Sequence, residues 1–275
     1  MSLKSLLSEI SFGTWLIETP SVAGYHDILA GLRSGRFAKA EPSMSHMMMG
    51  QRYTDPETNE PALKNKVVVV SFEGELTKNS GACSYGAVDL VNIISRFNGD
   101  ASVKGFIFKM DGPGGNADAM PLFIELRAKL KKPVVAWVEK ACSLHYYISA
   151  VCADHIMMAN DFTACAGSIG AMIAFEKPER ELIMVRPPQS KDKNEDYLQA
   201  LAGNTELLEQ KLVPLAVRFM ADVKKFRPQV SDDVLHGKVV YANEAVKTGL
   251  ADSIGSLDQA YNLVLAKAEL KQNNQ

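Results

Sequence analysis

The chain predicts an α/β fold with a helical N-terminal arm and a helical C-terminal end. Three observations predict it. Between residues 66 and 159, short β-branched runs alternate with stretches of helical apolar spacing. Two of those runs lead into small-residue turns, "DGPGG" at 111–115 and "ACS" at 141–143. Beyond about residue 203 the pattern is almost wholly helical. Regular strand–helix alternation is the mark of stacked ββα or βαβ units around one sheet.

Taken in order, residues 3–34 carry apolar positions at helical spacing (Leu3, Leu6, Leu7, Ile10, then Trp15, Leu16, Ile28, Leu29, Leu32), interrupted by Gly13 and Pro20, and predict short helices in an arm over 1–35. Residues 36–65 are polar, contain proline and lack periodicity, which predicts a linker or mobile loop. Its Met47, Met48 and Met49 suit either a soft contact surface or a partly buried loop. The domain proper is expected over 66–270. "KVVVVSFEG" (66–74) reads as a buried strand, 86–98 as a helix, and 104–115 as a strand ending in the Gly/Pro turn. Then follow a helix over 117–131, a strand over 132–138, a short buried helix over 143–153 and a strand over 154–159. "ELIMVR" (181–186) is a further expected strand. Residues 205–226 form a long amphipathic run with Thr205 as N-cap; helices over 242–250 and 257–270 close the chain.

Composition excludes several function classes. The 275 residues are 47% hydrophobic and 23% charged, with a net charge of −2, so there is no basic footprint for nucleic acid. Cys83, Cys142, Cys152 and Cys165 form no C-x-x-C pair, and the five histidines are scattered, so neither a zinc site nor a redox motif is expected. No nucleotide-binding or other cofactor motif is present. The N-terminus lacks a signal-peptide h-region, and no run of about 18 apolar residues exists, so the expectation is a cytoplasmic protein without a membrane span.

Three segments could carry chemistry. In "DGPGG" the strand-to-helix turn leaves backbone N–H groups unpaired, which suits an oxyanion; taken alone, a tight turn without a ligand is the commoner reason for such a segment. Ser143 stands at the start of the helix after the 132–138 strand. It is either an N-cap or a nucleophile favoured by the positive helix end, with the Leu144 N–H as donor. The small residues of "AGSIGAM" (166–172) permit close backbone packing or an extended substrate groove. His145, at i+2 on a helix, points away from Ser143, and His155 opens a buried strand, so no Ser-His-Asp set assembles. A lysine is the other candidate base, from Lys140, Lys191 or Lys193.

Together these segments resemble the S49 (signal peptide peptidase A, or protease IV) family of serine peptidases over about residues 66–265. The family's "D-S-P-G-G" turn matches Asp111 to Gly115, with Gly112 for Ser. Its "A-S-G-G-Y-Y-I-A…A-D-x-I" block matches "CSLHYYISAVCADHI", "GSIG" stands intact at 167–170, and the late "G-R-x-Y-x-x-x-E-A-x-x-x-G-L-x-D-x-I-G" matches "GKVVYANEAVKTGLADSIG". The N-terminal "WLIETPSVAGYHDIL" resembles the phage or prophage branch, associated with capsid maturation. The resemblance implies a ClpP/crotonase-like stacked ββα superhelix, a homo-oligomer, a peptide or protein substrate such as a phage head protein, and a Ser/Lys dyad. Ser143 would be the nucleophile. Gly114, Gly115 and Leu144 would hold the oxyanion, and Gly167 and Ser168 would line the substrate. Lys191 matches the family's "G-x-x-K-D" lysine best, with Lys193 second. Two features depart from the family: Leu144 and His145 replace two glycines after the serine, and the segment from Gly170 to Lys191 is short. A catalytically degenerate scaffold protein is therefore the alternative, ahead of a crotonase-like acyl-CoA enzyme.

Overall fold

The computed structural model describes residues 15–17, 45–80, 85–173, 183 and 185–273. Its centre is a mixed sheet with strand order β10-β7-β6-β4-β3-β2. These strands are β2 (His46–Thr54), β3 (Pro61–Glu73), β4 (Val103–Gly112), β6 (Val134–Cys142), β7 (His155–Met158) and β10 (Ser253–Ile254). β3, β4, β6, β7 and β10 run parallel, and β2 joins the β3 edge antiparallel. A side branch adds β8 (Cys165–Gly167), parallel to β6, and β9 (Val239–Tyr241), antiparallel to β8. The short β1 (Trp15–Ile17) and β5 (Gly114–Asn116) pair separately.

Both faces of the sheet are covered, which is why its central strands are apolar runs rather than alternating ones. Val68, Val70, Phe106 and Phe108 face helices α1 (Ala87–Asn98), α2 (Met120–Lys129), α3 (Leu144–Cys152) and α5 (Glu206–Phe226). The short α4 (Glu195–Leu201) precedes α5 and packs on it. Val67, Val69, Ile107 and Val135 face α7 (Leu257–Asn273) through Ala260 and Val264. The remaining helix, α6 (Ala242–Lys247), follows β9.

The 36–65 expectation is corrected within the described residues. Residues 46–54 are a strand, and β3 begins at Pro61, so much of the expected linker is a hairpin. Its turn contains Asp55, whose Oδ1 accepts from the Glu57 and Thr58 N–H groups. The methionines alternate: Met47 is half-exposed, Met48 packs on one core cluster and Met49 on the other. Cross-strand packing against Val67–Val69 stabilises the strand despite its weak sequence signal. Trp15–Ile17, expected in a helical arm, is also a strand; the rest of the 1–35 prediction lies outside the described residues. So does most of the expected 181–186 strand, and Ile183, Val185 and Arg186 are in no regular element.

Two aspartates anchor the amino ends of the inner parallel strands β6 and β7. Asp154 accepts from the Val134 N–H at 3.0 Å and from both Arg127 terminal nitrogens at 3.1 Å, tying α2 to the strand that follows α3. Asp252 accepts from the Ile156 N–H at 2.7 Å and from Arg227 at 2.7 and 3.1 Å. Arg227 also donates to the Gly249 carbonyl. Burial works to raise the Asp252 pKa, but Arg227 and the Ile156 N–H outweigh it and hold the carboxyl below its ordinary range. Arg227 is 5% exposed, so Arg227→Met should leave Asp252 without its arginine, held only by the Ile156 N–H among these two partners, and cost about 2–3 kcal/mol, discounted for the partly exposed carboxylate. The denaturation midpoint should fall at unchanged m-value; an unchanged midpoint would show that the pair contributes nothing net.

Candidate active site

Sheet register brings the three motif segments to one level. Gly112 at the end of β4 pairs with Ala141 of β6, and Cys142 pairs with Gly167 of β8. Gly114 lies two residues past Gly112 and Ser143 two past Ala141, so parallel strands deliver both to the same end of the sheet. This is the carboxyl end, where open α/β sheets gather their functional groups. Beyond the Gly112–Gly114 bend, β5 packs on α3.

Ser143 joins β6 to α3 with φ +53° and ψ −116°. An N-cap residue has extended backbone and a side chain that accepts from the first turn; Ser143 has neither feature. A non-glycine residue in this region is strained, and such strain persists only where surrounding contacts over-determine it. Here the Ser143 N–H donates to the Gly167 carbonyl at 2.9 Å, and its own carbonyl accepts from the Tyr147 N–H at 2.9 Å. That second bond is the first of the helix, so the N–H groups of Leu144, His145 and Tyr146 have no intrahelical acceptor. A sharp strand-to-helix turn of this kind sets a serine hydroxyl beside the positive helix end.

"GSIG" holds that turn in place. Gly167 has φ +132°, and a Cβ there would lie 2.1 Å from the Lys238 carbonyl oxygen, so no other residue fits. The Ser168 N–H donates to the same carbonyl at 2.7 Å, and Ser168 itself has φ +54°.

All nine residues of α3 are buried, and among them His145 is the residue whose side-chain polar atoms lack hydrogen-bond partners. The Tyr146 hydroxyl donates to the Leu250 carbonyl at 3.1 Å, and the Tyr147 hydroxyl donates to the Asp222 carboxylate at 2.8 Å, which Arg218 also holds. Burial pushes both phenol pKa values up. Cys142 and Cys152 are buried thiols and Cys165 is half-buried; burial raises the Cys152 thiol to about 12. His145 is itself 0% exposed. Its ring lies against Gly112: a Cβ at that position would be 2.3 Å from His145 Nε2 and 2.4 Å from the Gly74 carbonyl oxygen. The histidine therefore fills space that a serine at 112 would claim. Gly112 and His145 are thus packed against each other, with the Gly74 carbonyl closing the same space. Leu144 is also 0% exposed, so neither large side chain lines solvent-open surface.

The structure thus brings Gly114, Leu144, Gly167 and Ser168 around Ser143. Gly115 is placed differently from an open turn. Leu76 donates to the Gly114 carbonyl and accepts from the Asn116 N–H, so the N–H and C=O of Gly115 point to the opposite side, toward β1. Lys191 and Lys193 are exposed, on the stretch leading into α4. Among the described residues, no hydrogen bond or ion pair joins Ser143 to a lysine. The lodging of His145 escaped sequence reading, since only the third dimension puts residue 145 against residue 112. A glycine in place of serine in "DGPGG" was the one available signal.

Burial holds the His145 imidazole down at about 4, against favourable Phe72 and Gly114 backbone groups and with an unfavourable contribution from Lys140. The unfolded chain takes up this proton near pH 6.5, so stability contributed by the neutral ring is complete above that pH. It should be lost by about 3 kcal/mol as pH falls from about 6.5 to about 4. His145→Leu should flatten that slope and raise stability at pH 7 by about 1–2 kcal/mol, read from denaturant curves across pH; an unchanged slope would contradict it. Gly112→Ser alone should cost about 2 kcal/mol or more, part of it recovered with His145→Gly in a double-mutant cycle and the rest remaining against the Gly74 carbonyl; strict additivity would refute the packing of His145 on Gly112.

No protein-family model matches the sequence. Protease 4 of Haemophilus influenzae is 29% identical over 213 residues, covering 72% of this chain and 34% of its own length. Protease 4 of Salmonella typhi is 26% identical, covering 63% of this chain and 30% of its own. The putative signal peptide peptidase SppA of Enterococcus faecium is 25% identical over 236 residues, covering 79% and 68%. The chain spans about a third of the length of the Protease 4 proteins. Among solved structures, the membrane-bound stomatin-specific protease 1510-N in complex with a substrate peptide aligns at TM-score 0.45 and 19% identity, over 70% of this chain and 76% of that one. A second structure of that protease aligns at 0.42 and 19%, over 72% and 84%. By sequence, the chain is similar to proteins named Protease 4 and to a putative signal peptide peptidase SppA, at 25–29% identity.

Proposed function

We propose that the protein is a serine endopeptidase of the S49 type, with Ser143 as nucleophile and Lys191 as general base. The observation that carries this reading is the Ser143 backbone, strained at φ +53° without a capping bond and pinned by the Gly167 carbonyl. A plain helix cap has no use for that conformation.

In this mechanism the neutral Lys191 amine takes the hydroxyl proton as Ser143 Oγ bonds to the scissile carbonyl carbon. The carbonyl π bond opens, and the oxyanion is held by the N–H groups of Leu144 and Gly114. Collapse breaks the C–N bond, and the Lys191 ammonium returns the proton to the leaving amine. Water, deprotonated by the same amine, then releases the acyl group and restores Ser143. Lys193 is the second choice of base. Substrates are proteins or peptides, and the N-terminal resemblance extends the proposal to phage head proteins processed in the cytoplasm by a homo-oligomer.

A second reading, a non-catalytic scaffold of the same fold, draws on the 2% exposure of Ser143 and the exposed positions of both lysines. Fluorophosphonate labelling together with casein or peptide cleavage separates the two. Ser143→Ala should abolish labelling and lower hydrolysis by about a thousandfold or more, Lys191→Ala should approach that loss, and Lys193→Ala should change it by less than about threefold. Hydrolysis surviving in Ser143→Ala would sink the assignment, and a wild type that neither labels nor cleaves would establish the scaffold.

A further inference from the structure

β5 is a strand of three residues, Gly114–Asn116, flanked on both sides. On one side Leu76 bridges it in parallel fashion, through the Leu76 N–H to Gly114 carbonyl bond at 3.0 Å and the Asn116 N–H to Leu76 carbonyl bond at 2.9 Å. On the other side lies β1, antiparallel, with Trp15 opposite Asn116, Leu16 opposite Gly115 and Ile17 opposite Gly114. The Gly115 N–H and C=O face this second side. They form an edge that any extended peptide could pair with, since backbone bonds ask for no particular sequence.

The direction of β1 matters. Running from Trp15 to Ile17, the chain moves along β5 from Asn116 toward Gly114, the end that adjoins the bend at Gly112 and the start of α3. An extended peptide on this edge is therefore carried toward Ser143. Ser143 is 2% exposed, so a substrate reaches it only after something moves. In sequence, 27 residues separate Ile17 from Ser45, the first residue of the main body of the described chain. Because Trp15–Ile17 belongs to the same chain as the edge, its pairing there is intramolecular and competes directly with any free peptide.

We propose that Trp15–Ile17 is a built-in occupant of the peptide-docking edge at Gly114–Asn116, which a substrate strand must displace before reaching Ser143. This rests on the reading of Ser143 as the nucleophile, but occupancy of the edge is measurable without catalysis. The test uses the full chain carrying Ser143→Ala, with and without Leu16→Pro. Proline at 16 removes the N–H facing the Gly115 carbonyl and disfavours strand pairing. The probe is a fluorescein-labelled peptide, FGTWLIETPSV, identical to residues 12–22. The Leu16→Pro chain should bind it about five- to tenfold more tightly by anisotropy, the worth of two backbone hydrogen bonds. Hydrogen–deuterium exchange at the Gly115 amide should be slow in the parent, fast in Leu16→Pro, and slow again on adding peptide. Fast exchange in the parent, or peptide affinity unchanged or weakened by Leu16→Pro, would overturn the proposal. In chains with Ser143 intact, Leu16→Pro should lower KM by a similar factor with little change in kcat. If the wild type cleaves nothing while the binding and exchange results hold, the peptidase reading fails and the occupant stands.

Discussion

The hydrogen bond from the Ser143 N–H to the Gly167 carbonyl depends on two parallel strands ending at the same height, and most of the site depends on it in turn. It fixes the point at which β6 gives way to α3 and holds the serine in a conformation that a free turn would relax. It forms because β8 can lie close to β9, and that approach requires a residue without a Cβ at 167. The Gly112–Ala141 pairing supplies the matching constraint on the other flank, setting the β5 bend level with the start of the helix. The site is thus set by where three strands stop. Single-residue geometry enters only where backbones come closer than a methyl group allows.

Seen this way, Leu144 and His145 have a different weight from the one their size suggests. In a helix buried on every side, large residues after the serine turn into the core. Leu144 joins the main apolar cluster, and His145 settles over Gly112. The cost falls on stability, through a fully buried imidazole whose two ring nitrogens lack hydrogen-bond partners. Asp154 and Asp252 show the complementary case. Both sit in motif blocks that could be mistaken for catalytic carboxylates, yet each holds a strand start and an arginine.

Much of this was legible in the chain, for identifiable reasons. The valine run at 67–70 could only be a doubly covered strand, and the helices at 87–98, 206–226 and 257–273 carry clear spacing. Ser143, "DGPGG" and "GSIG" were visible because small residues at strand ends stand out. The hairpin at 46–66 was not visible. His46 to Thr54 has no alternation strong enough to announce a strand and is held by the valines it meets across the ladder. β1 was hidden for the same reason: Trp15–Ile17 fits a helix or a strand, and only the unpaired side of Gly115 decides between them. Pairing between Gly112 and His145 lies beyond any local pattern, since 33 positions of sequence separate two residues in contact.

The chain contains two tryptophans, and their positions give the molecule a natural spectroscopic division. Trp137 lies in β6, its indole N–H donating to the Gly255 carbonyl at 3.0 Å, so its emission belongs to the body of the sheet. Trp15 lies in β1, which pairs with β5 and with no strand of the main sheet among the described residues. Replacing Trp137 with phenylalanine would leave Trp15 as the one tryptophan in the chain, so that intrinsic fluorescence would report, without any label, on the surroundings of β1.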